Sequence, residues 1–303
     1  MNTNTPDPET VPGLDAQAAH RWRALARPAS PWLHEEVAAR MQTRLSWFRE
    51  QPGSWLHWEP VLGGLQAHQQ LRAQLPKARW FVWSERLPQT LAAIAEPHPV
   101  GGWRWWGRRR SPPSTVLPEG EQVAMLWANM WLHHEPQPQR LLQHWYRQLH
   151  TDGFLMFSGL GPDTLRELRA VYAQQGWAPP GHALTDMHDW GDMLVHSGFA
   201  EPVMDMERLT LSYSSAAALL EELRTLGRNF HTARPAGLRG RAWRTRLLQA
   251  LEDGLPRDPQ GRLLLTFEII YGHAYKPQPR PPRRAEQAVS VDDMRALLKG
   301  SRR

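Results

Sequence analysis

The chain has 303 residues, 41% of them hydrophobic and 22% charged, and no cysteine; that suits one large domain with appendages and excludes wholesale disorder, disulfides and thiolate metal sites. The formal charge of +6 is concentrated in 276–303, where eight basic side chains stand against three acidic ones, so the body is near neutral. A near-neutral body argues against a nucleic-acid enzyme, and the tail amounts at most to a weak electrostatic tether. Only three of the 36 basic residues are lysines, beside 27 prolines and 16 tryptophans, a skew that codon bias toward G and C explains without any stacking function. The N-terminus has neither a basic start nor an apolar core, and the longest nearly uncharged apolar stretch, 123–132, is far short of the roughly 18 residues of a membrane span, so a soluble, cytoplasmic protein is expected.

Residues 1–14 are polar and proline-containing, which predicts a disordered leader ahead of a domain at 15–275. Ser30 followed by Pro31 reads as a helix cap and first turn, after which Leu33, Val37, Met41, Leu45 and Phe48 recur on one helical face. Short apolar runs then alternate with helical stretches: strand 55–58, helix 65–75, strand 80–83, helix 88–95, strand 123–127, helix 140–149, strand 154–157 and helix 164–173. This alternation predicts a doubly wound α/β sheet, interrupted by a loop at 97–120 rich in Trp, Arg, Gly and Pro. Asp186 caps a short helix at 187–196 that Gly198 closes, and an alternating strand follows at 203–213. Two helices, 216–226 and 242–251, form an expected lid at 214–255 before a last strand at 263–275. The remainder, 276–303, is a basic, proline-rich tail.

In a sheet of this kind the first strand-to-helix turn is where a nucleotide-like ligand sits, because helix N-terminal amides face the crevice and glycine lets the backbone approach. Here it reads His57-Trp58-Glu59-Pro60-Val61-Leu62-Gly63-Gly64, and these residues alone favour an ordinary turn without ligand. Glu85 ends the second strand, where a carboxylate can accept both ribose hydroxyls, although an exposed acid at a strand end is common. Asp186, His188, Asp189 and Asp192 share adjacent helical turns, as a metal site would, but capping and the helix dipole account for them and no metal is expected. His133-His134-Glu135 could pair a base with an orienting acid; no nucleophile stands beside it, and a plain polar loop is the preferred reading. The turn 158–164 could cradle an anion, yet helix initiation, with Thr164 and Glu167 at capping-box spacing, explains each of its residues.

Three segments carry a resemblance: Phe157-Ser158-Gly159-Leu160-Gly161-Pro162-Asp163-Thr164-Leu165-Arg166-Glu167-Leu168, Asp186-Met187-His188-Asp189-Trp190-Gly191-Asp192-Met193-Leu194, and Gly198-Phe199-Ala200-Glu201-Pro202-Val203-Met204-Asp205-Met206-Glu207. The match continues through Leu226-Gly227-Arg228-Asn229, Arg234, Gly237-Leu238-Arg239-Gly240 and the last strand, Thr266-Phe267-Glu268-Ile269-Ile270-Tyr271-Gly272-His273-Ala274. The chain thereby resembles the malonyl-carrier-protein O-methyltransferases of bacterial biotin biosynthesis, relatives within the class I methyltransferases, over about 20–275. The resemblance implies a seven-stranded Rossmann-like sheet with an antiparallel final strand, a helical lid between the last two strands, S-adenosylmethionine as donor, and malonyl-acyl-carrier protein or malonyl-CoA as partner. It further implies that Gly63 and Glu85 hold the donor and that Asn129 lines the reaction centre. Arg228 and Arg234 are assigned to the acceptor's acid by charge type.

The departures from the family fall at the donor. The acid that opens the family's first turn is His57 here, and its first two glycines are Glu59 and Val61, so that only Gly63 holds its place. A β-branched side chain obstructs a loop that works through its backbone, and a carboxylate opposes the donor's own carboxylate. The adenine-contacting acid has no counterpart in 108–114, the family's Gln-Trp pair is His133-His134, and its tyrosine-bearing motif is missing around 21–30. Two readings of different class follow. One is a methyltransferase acting on the free carboxyl of a malonyl thioester, where positioning dominates catalysis. The other is a non-catalytic interaction or assembly module on the same fold. Nucleic-acid binding through the tail and 108–110 ranks last and is not expected.

Overall fold

Strand β1 (Ser54–Trp58) is buried along its whole length, the signature of a strand covered on both faces. It lies inside a six-stranded sheet with β2 (Arg79–Trp83), β3 (Val123–Ala128), β4 (Leu149–Leu160), β5 (Ala200–Tyr213) and β6 (Leu263–Tyr275), in the order β2-β1-β3-β4-β6-β5. The first four strands run parallel, and β6 is antiparallel to both β4 and β5. The computed structural model describes residues 11–27, 29–95, 116–237 and 239–279, and these counts refer to them. A parallel bridge from Val116 to Val82 flanks β2 on its outer side, where a seventh strand would run. Most of the loop expected at 97–120 and most of the tail lie outside the described residues, as does the leader up to residue 10.

Ten helices connect and cover the sheet: α1 (Ala16–Arg23), α2 (Trp32–Leu45), α3 (Pro60–Gly63), α4 (Leu65–Gln74), α5 (Leu87–Ile94), α6 (Pro138–Gln148), α7 (Arg166–Gln174), α8 (Met187–His196), α9 (Ala216–Leu226) and α10 (Arg241–Gly254). Two apolar clusters sandwich the strands. Trp55 and Trp127 point into one with α2, α4, α7 and the pair α9/α10, while their neighbours Leu56 and Leu126 point into the other with α1, α6 and α8. The two-residue strand period thus fills both layers from one strand.

Local expectations changed where tertiary partners compete. Residues 11–14 are not a loose leader: the Val11 amide donates to the Pro136 carbonyl at 2.9 Å, and Leu14, which is buried, bridges to His231. Ser30 does not cap α2, whose N-cap is Pro31 without a side-chain bond; its hydroxyl accepts from the Leu65 amide at 2.9 Å and ties the start of α4 instead. Thr164 and Glu167 form no capping box. The Thr164 hydroxyl exchanges bonds with the Glu268 backbone, and Glu167 accepts from the Thr266 amide and hydroxyl, because β6 runs alongside and offers unpaired groups. At the other boundary the Lys276 ammonium donates to the Leu149 carbonyl at 2.6 Å, so the first tail residue is tied to the sheet. Among the described residues no helix is long and apolar enough to cross a membrane.

Asp186 does cap α8. Its carboxylate accepts from the His188 amide at 2.8 Å and lies 2.7 Å from the exposed His188 ring, and that amide is the main cause holding its acid below the usual range. Asp186→Ala is expected to cost about 1 kcal/mol in urea denaturation. No group of three metal-ligating residues is assembled among the described residues, and chelator should leave the melting temperature unchanged; a shift of several degrees would overturn the capping account.

Candidate functional site

The carboxyl ends of β1, β2 and β3 form the crevice where an open α/β sheet places its ligand. β1 enters it through Glu59, whose φ of 53° is left-handed and costs a non-glycine residue about 1 kcal/mol. That conformation turns the side chain inward. One carboxylate oxygen accepts from the Glu85 amide at 2.5 Å and the other from the Ser84 hydroxyl at 2.9 Å, so the acid bridges the ends of β1 and β2 and is itself buried. Burial is the leading cause raising its acid above the usual range, and these two bonds oppose the rise.

Glu85, whose carboxyl was expected to be free for a ribose, lies 3.6 Å from the Arg23 guanidinium, which also bonds Glu135 at 2.6 Å. Arg23 ends α1, and Arg27, just beyond it, stacks over Trp22 and contributes positive potential at Glu59. Asn129 sits at the end of β3 with every side-chain atom engaged. Its amide donates to the His34 carbonyl at 2.8 Å and the Gly63 carbonyl at 2.5 Å, and its oxygen accepts from the Ser158 hydroxyl at 2.6 Å. Gly63 is closely packed: a Cβ there would stand 3.2 Å from the His57 ring and 3.3 Å from the Asn129 carbonyl. His57, in the place of the family's acid, is fully buried and shares its Nδ1 with that of His68 at 3.2 Å. Gly63, Glu85 and Asn129 thus follow the carboxyl ends of β1, β2 and β3, and each is engaged by the chain's own groups.

The space between the β1 and β2 ends holds the Glu59 carboxylate, which is bonded to Ser84 and to the Glu85 amide. The turn 158–164 is filled in the same way: the Glu268 carboxylate accepts from the Asp163 amide at 2.6 Å and blocks Gly161.

A cavity of about 630 Å³ lies between α7, the 180–184 segment and the lid helices α9 and α10. Its walls are mixed: Leu168, Leu220 and Leu247 line it together with Arg224, Arg239, Arg244 and Glu221, and His133 and His134 border it. Arg228 borders it, but its guanidinium bonds the Arg224 and Gly227 carbonyls. Arg234 does not. It pairs with Asp15, the α1 cap, at 2.6 Å and so fastens α1 to the lid connection. His133 and His134 are buried in a short 3-10 turn rather than in the polar loop expected. Sequence reasoning missed α1 and its Arg23, although Asp15 before Ala16 carried a capping signal. It also missed His34 and His182, which no local pattern connects to His133 and His134.

No protein-family model matches the chain. The malonyl-acyl-carrier-protein O-methyltransferase of Laribacter hongkongensis is 38% identical over 272 residues, covering 86% of this chain and 88% of that protein. The protein of the same name from Gallionella capsiferriformans is 38% identical over 269 residues, covering 83% and 87%. Among solved structures, a SAM-dependent methyltransferase from Archaeoglobus fulgidus aligns at 13% identity over 80% of this chain and 94% of that one, with a TM-score of 0.40.

Proposed function

The chain belongs to the family of the malonyl-acyl-carrier-protein O-methyltransferases, within the class I methyltransferases, and from that membership we propose that it is a binding protein on the methyltransferase fold. It holds an acyl thioester with a free carboxylate under its lid and does not use a methyl donor. The observation that carries this reading is the Glu59 carboxylate, bonded to Ser84 and to the Glu85 amide inside the donor crevice. Proteins of this superfamily bind S-adenosylmethionine through a backbone-lined glycine turn, and a buried acid in that turn supplies both bulk and opposing charge. Neither Glu59, Gly63, Glu85 nor Asn129 lines the lid cavity. An acceptor lodged there would not need the donor to be held.

Calorimetric titration of the full chain with S-adenosylhomocysteine tests the reading. No binding is expected at millimolar ligand. Glu59→Gly with Val61→Gly removes the acid and the branched side chain while glycine accepts the left-handed φ of residue 59 without strain, and this double variant is expected to gain measurable affinity. Micromolar binding by the unaltered chain would overturn the proposal and return the protein to the catalytic members of its family.

A further inference from the structure

The histidine pair beside the lid cavity is unusual for what it lacks. Nδ1 and Nε2 of His133, Nδ1 of His134 and Nε2 of His34 are buried without a hydrogen-bond partner among the described residues. The His133 and His134 rings lie 3.8 Å apart, and both border the cavity. A buried polar atom without a partner costs on the order of 1–3 kcal/mol, so the unpartnered nitrogens of His133 and His134, the two of these residues that border the cavity, are what a ligand group would relieve. The third imidazole on the cavity wall, His182, donates its Nε2 proton to the His133 carbonyl at 3.0 Å.

We infer that the His133–His134 pair receives the carboxylate head of the bound acyl chain and takes up a proton from solvent as it does so. This rests on the reading that the lid cavity is an acyl-thioester site. A neutral imidazole presents one N–H and one lone pair. A carboxylate accepts from the N–H but is repelled by the lone pair, and protonation turns that second nitrogen into a donor and adds a charge-assisted bond. Without ligand, burial holds both rings well below the ordinary histidine range.

The groups around the pair give it no counter-charge. From α2 comes His34, whose Nδ1–H is committed to the Leu62 carbonyl at 2.8 Å; from the 180–184 segment comes His182. From α1 comes the Arg23 guanidinium, which disfavours a cation at His134 and is itself neutralised by Glu135. Glu221 of α9 borders the cavity from the lid side, among arginines. An anion must therefore be brought by the ligand. The arginines of the lid suit its other end. Arg224, Arg239 and Arg244 border the cavity and form no ion pair among the described residues, so a phosphate-bearing thioester arm can lie against them while its acyl carboxylate reaches the histidines.

The test is calorimetry on the unaltered full chain with malonyl-CoA and acetyl-CoA, which differ only by the carboxylate, at pH 6.5 and 8.5 in buffers of different ionisation enthalpy. Malonyl-CoA is expected to bind about tenfold more tightly at pH 6.5, the factor of one pKa unit, with close to one proton taken up. Acetyl-CoA should show neither effect, because the phosphates are common to both. His134→Gln keeps a hydrogen-bonding side chain without a titrating proton and is expected to flatten the malonyl-CoA profile. Its folding is checked by thermal denaturation, and the proton count on the unaltered chain decides the matter if it fails to fold. Malonyl-CoA binding without proton uptake overturns this inference and leaves the proposed function standing. No binding of either thioester at both pH values removes the acceptor site itself.

Discussion

Urea denaturation of the unliganded protein is expected to show stability falling steeply as the pH is lowered from 7.5 to 5.5. Six histidines, His34, His57, His68, His133, His134 and His182, are held below the ordinary histidine range, with burial the first cause in each; His34 is brought to about 4 and His68 to about 3. The folded state keeps these rings neutral, whereas the unfolded chain protonates them near 6.5. Below that value the unfolded state binds more protons, and stability must drop as pH falls. The loss starts near pH 6.5 and continues until each folded value is reached. One unit below 6.5 a ring held well below its ordinary range contributes about 1.4 kcal/mol of loss, so His34, His57, His68, His133 and His134 together approach about 7 kcal/mol, comparable with the roughly 5–15 kcal/mol that a domain has in total, and His182 adds in the same direction. Glu59 acts with the opposite sign. Its raised acid favours the folded state at low pH, a contribution lost as pH rises, but it is a single group whose bonds to Ser84 and Glu85 limit the rise. A urea midpoint unchanged between pH 7.5 and 5.5 would mean that the imidazoles titrate normally in the folded protein and would refute their burial as neutral rings.

Asn129→Ala is expected to cost about 3 kcal/mol, seen as a lower urea midpoint at unchanged m-value. The side chain is buried, and it joins α2 through the His34 carbonyl, α3 through the Gly63 carbonyl and β4 through the Ser158 hydroxyl. Truncation removes three bonds at once and strands the Ser158 hydroxyl, which also accepts from the Met130 amide at 3.1 Å. Ser158→Ala should cost less, about 1 kcal/mol, because it deletes one partner and leaves the two carbonyls held. A loss below about 0.5 kcal/mol for Asn129→Ala would show that the clamp does not support the fold and would restore the reaction-centre role implied by the family pattern.

The sequence by itself determined the layered architecture and the course of the chain. Strands β1 and β3 are legible because they are short runs of apolar and aromatic residues, and α8, α9 and β6 begin and end where caps and period place them, all local properties of a few consecutive residues. It also located the departure in the first strand-to-helix turn, since Glu59 and Val61 stand where the family pattern has glycine. The tertiary structure alone decided what these residues do. That Glu59 folds inward onto Ser84 and Glu85, that Arg23 pairs with Glu85, and that Thr164 bonds β6 instead of capping a helix all depend on groups 25 to 104 residues away in the chain. The histidine cluster is the clearest case. His34, His133, His134 and His182 come from three separate segments, and each reads locally as an ordinary polar residue. Their neutrality follows from burial, which a single residue's neighbours in sequence do not fix, because a ring becomes buried only when helix, strand end and lid close around it.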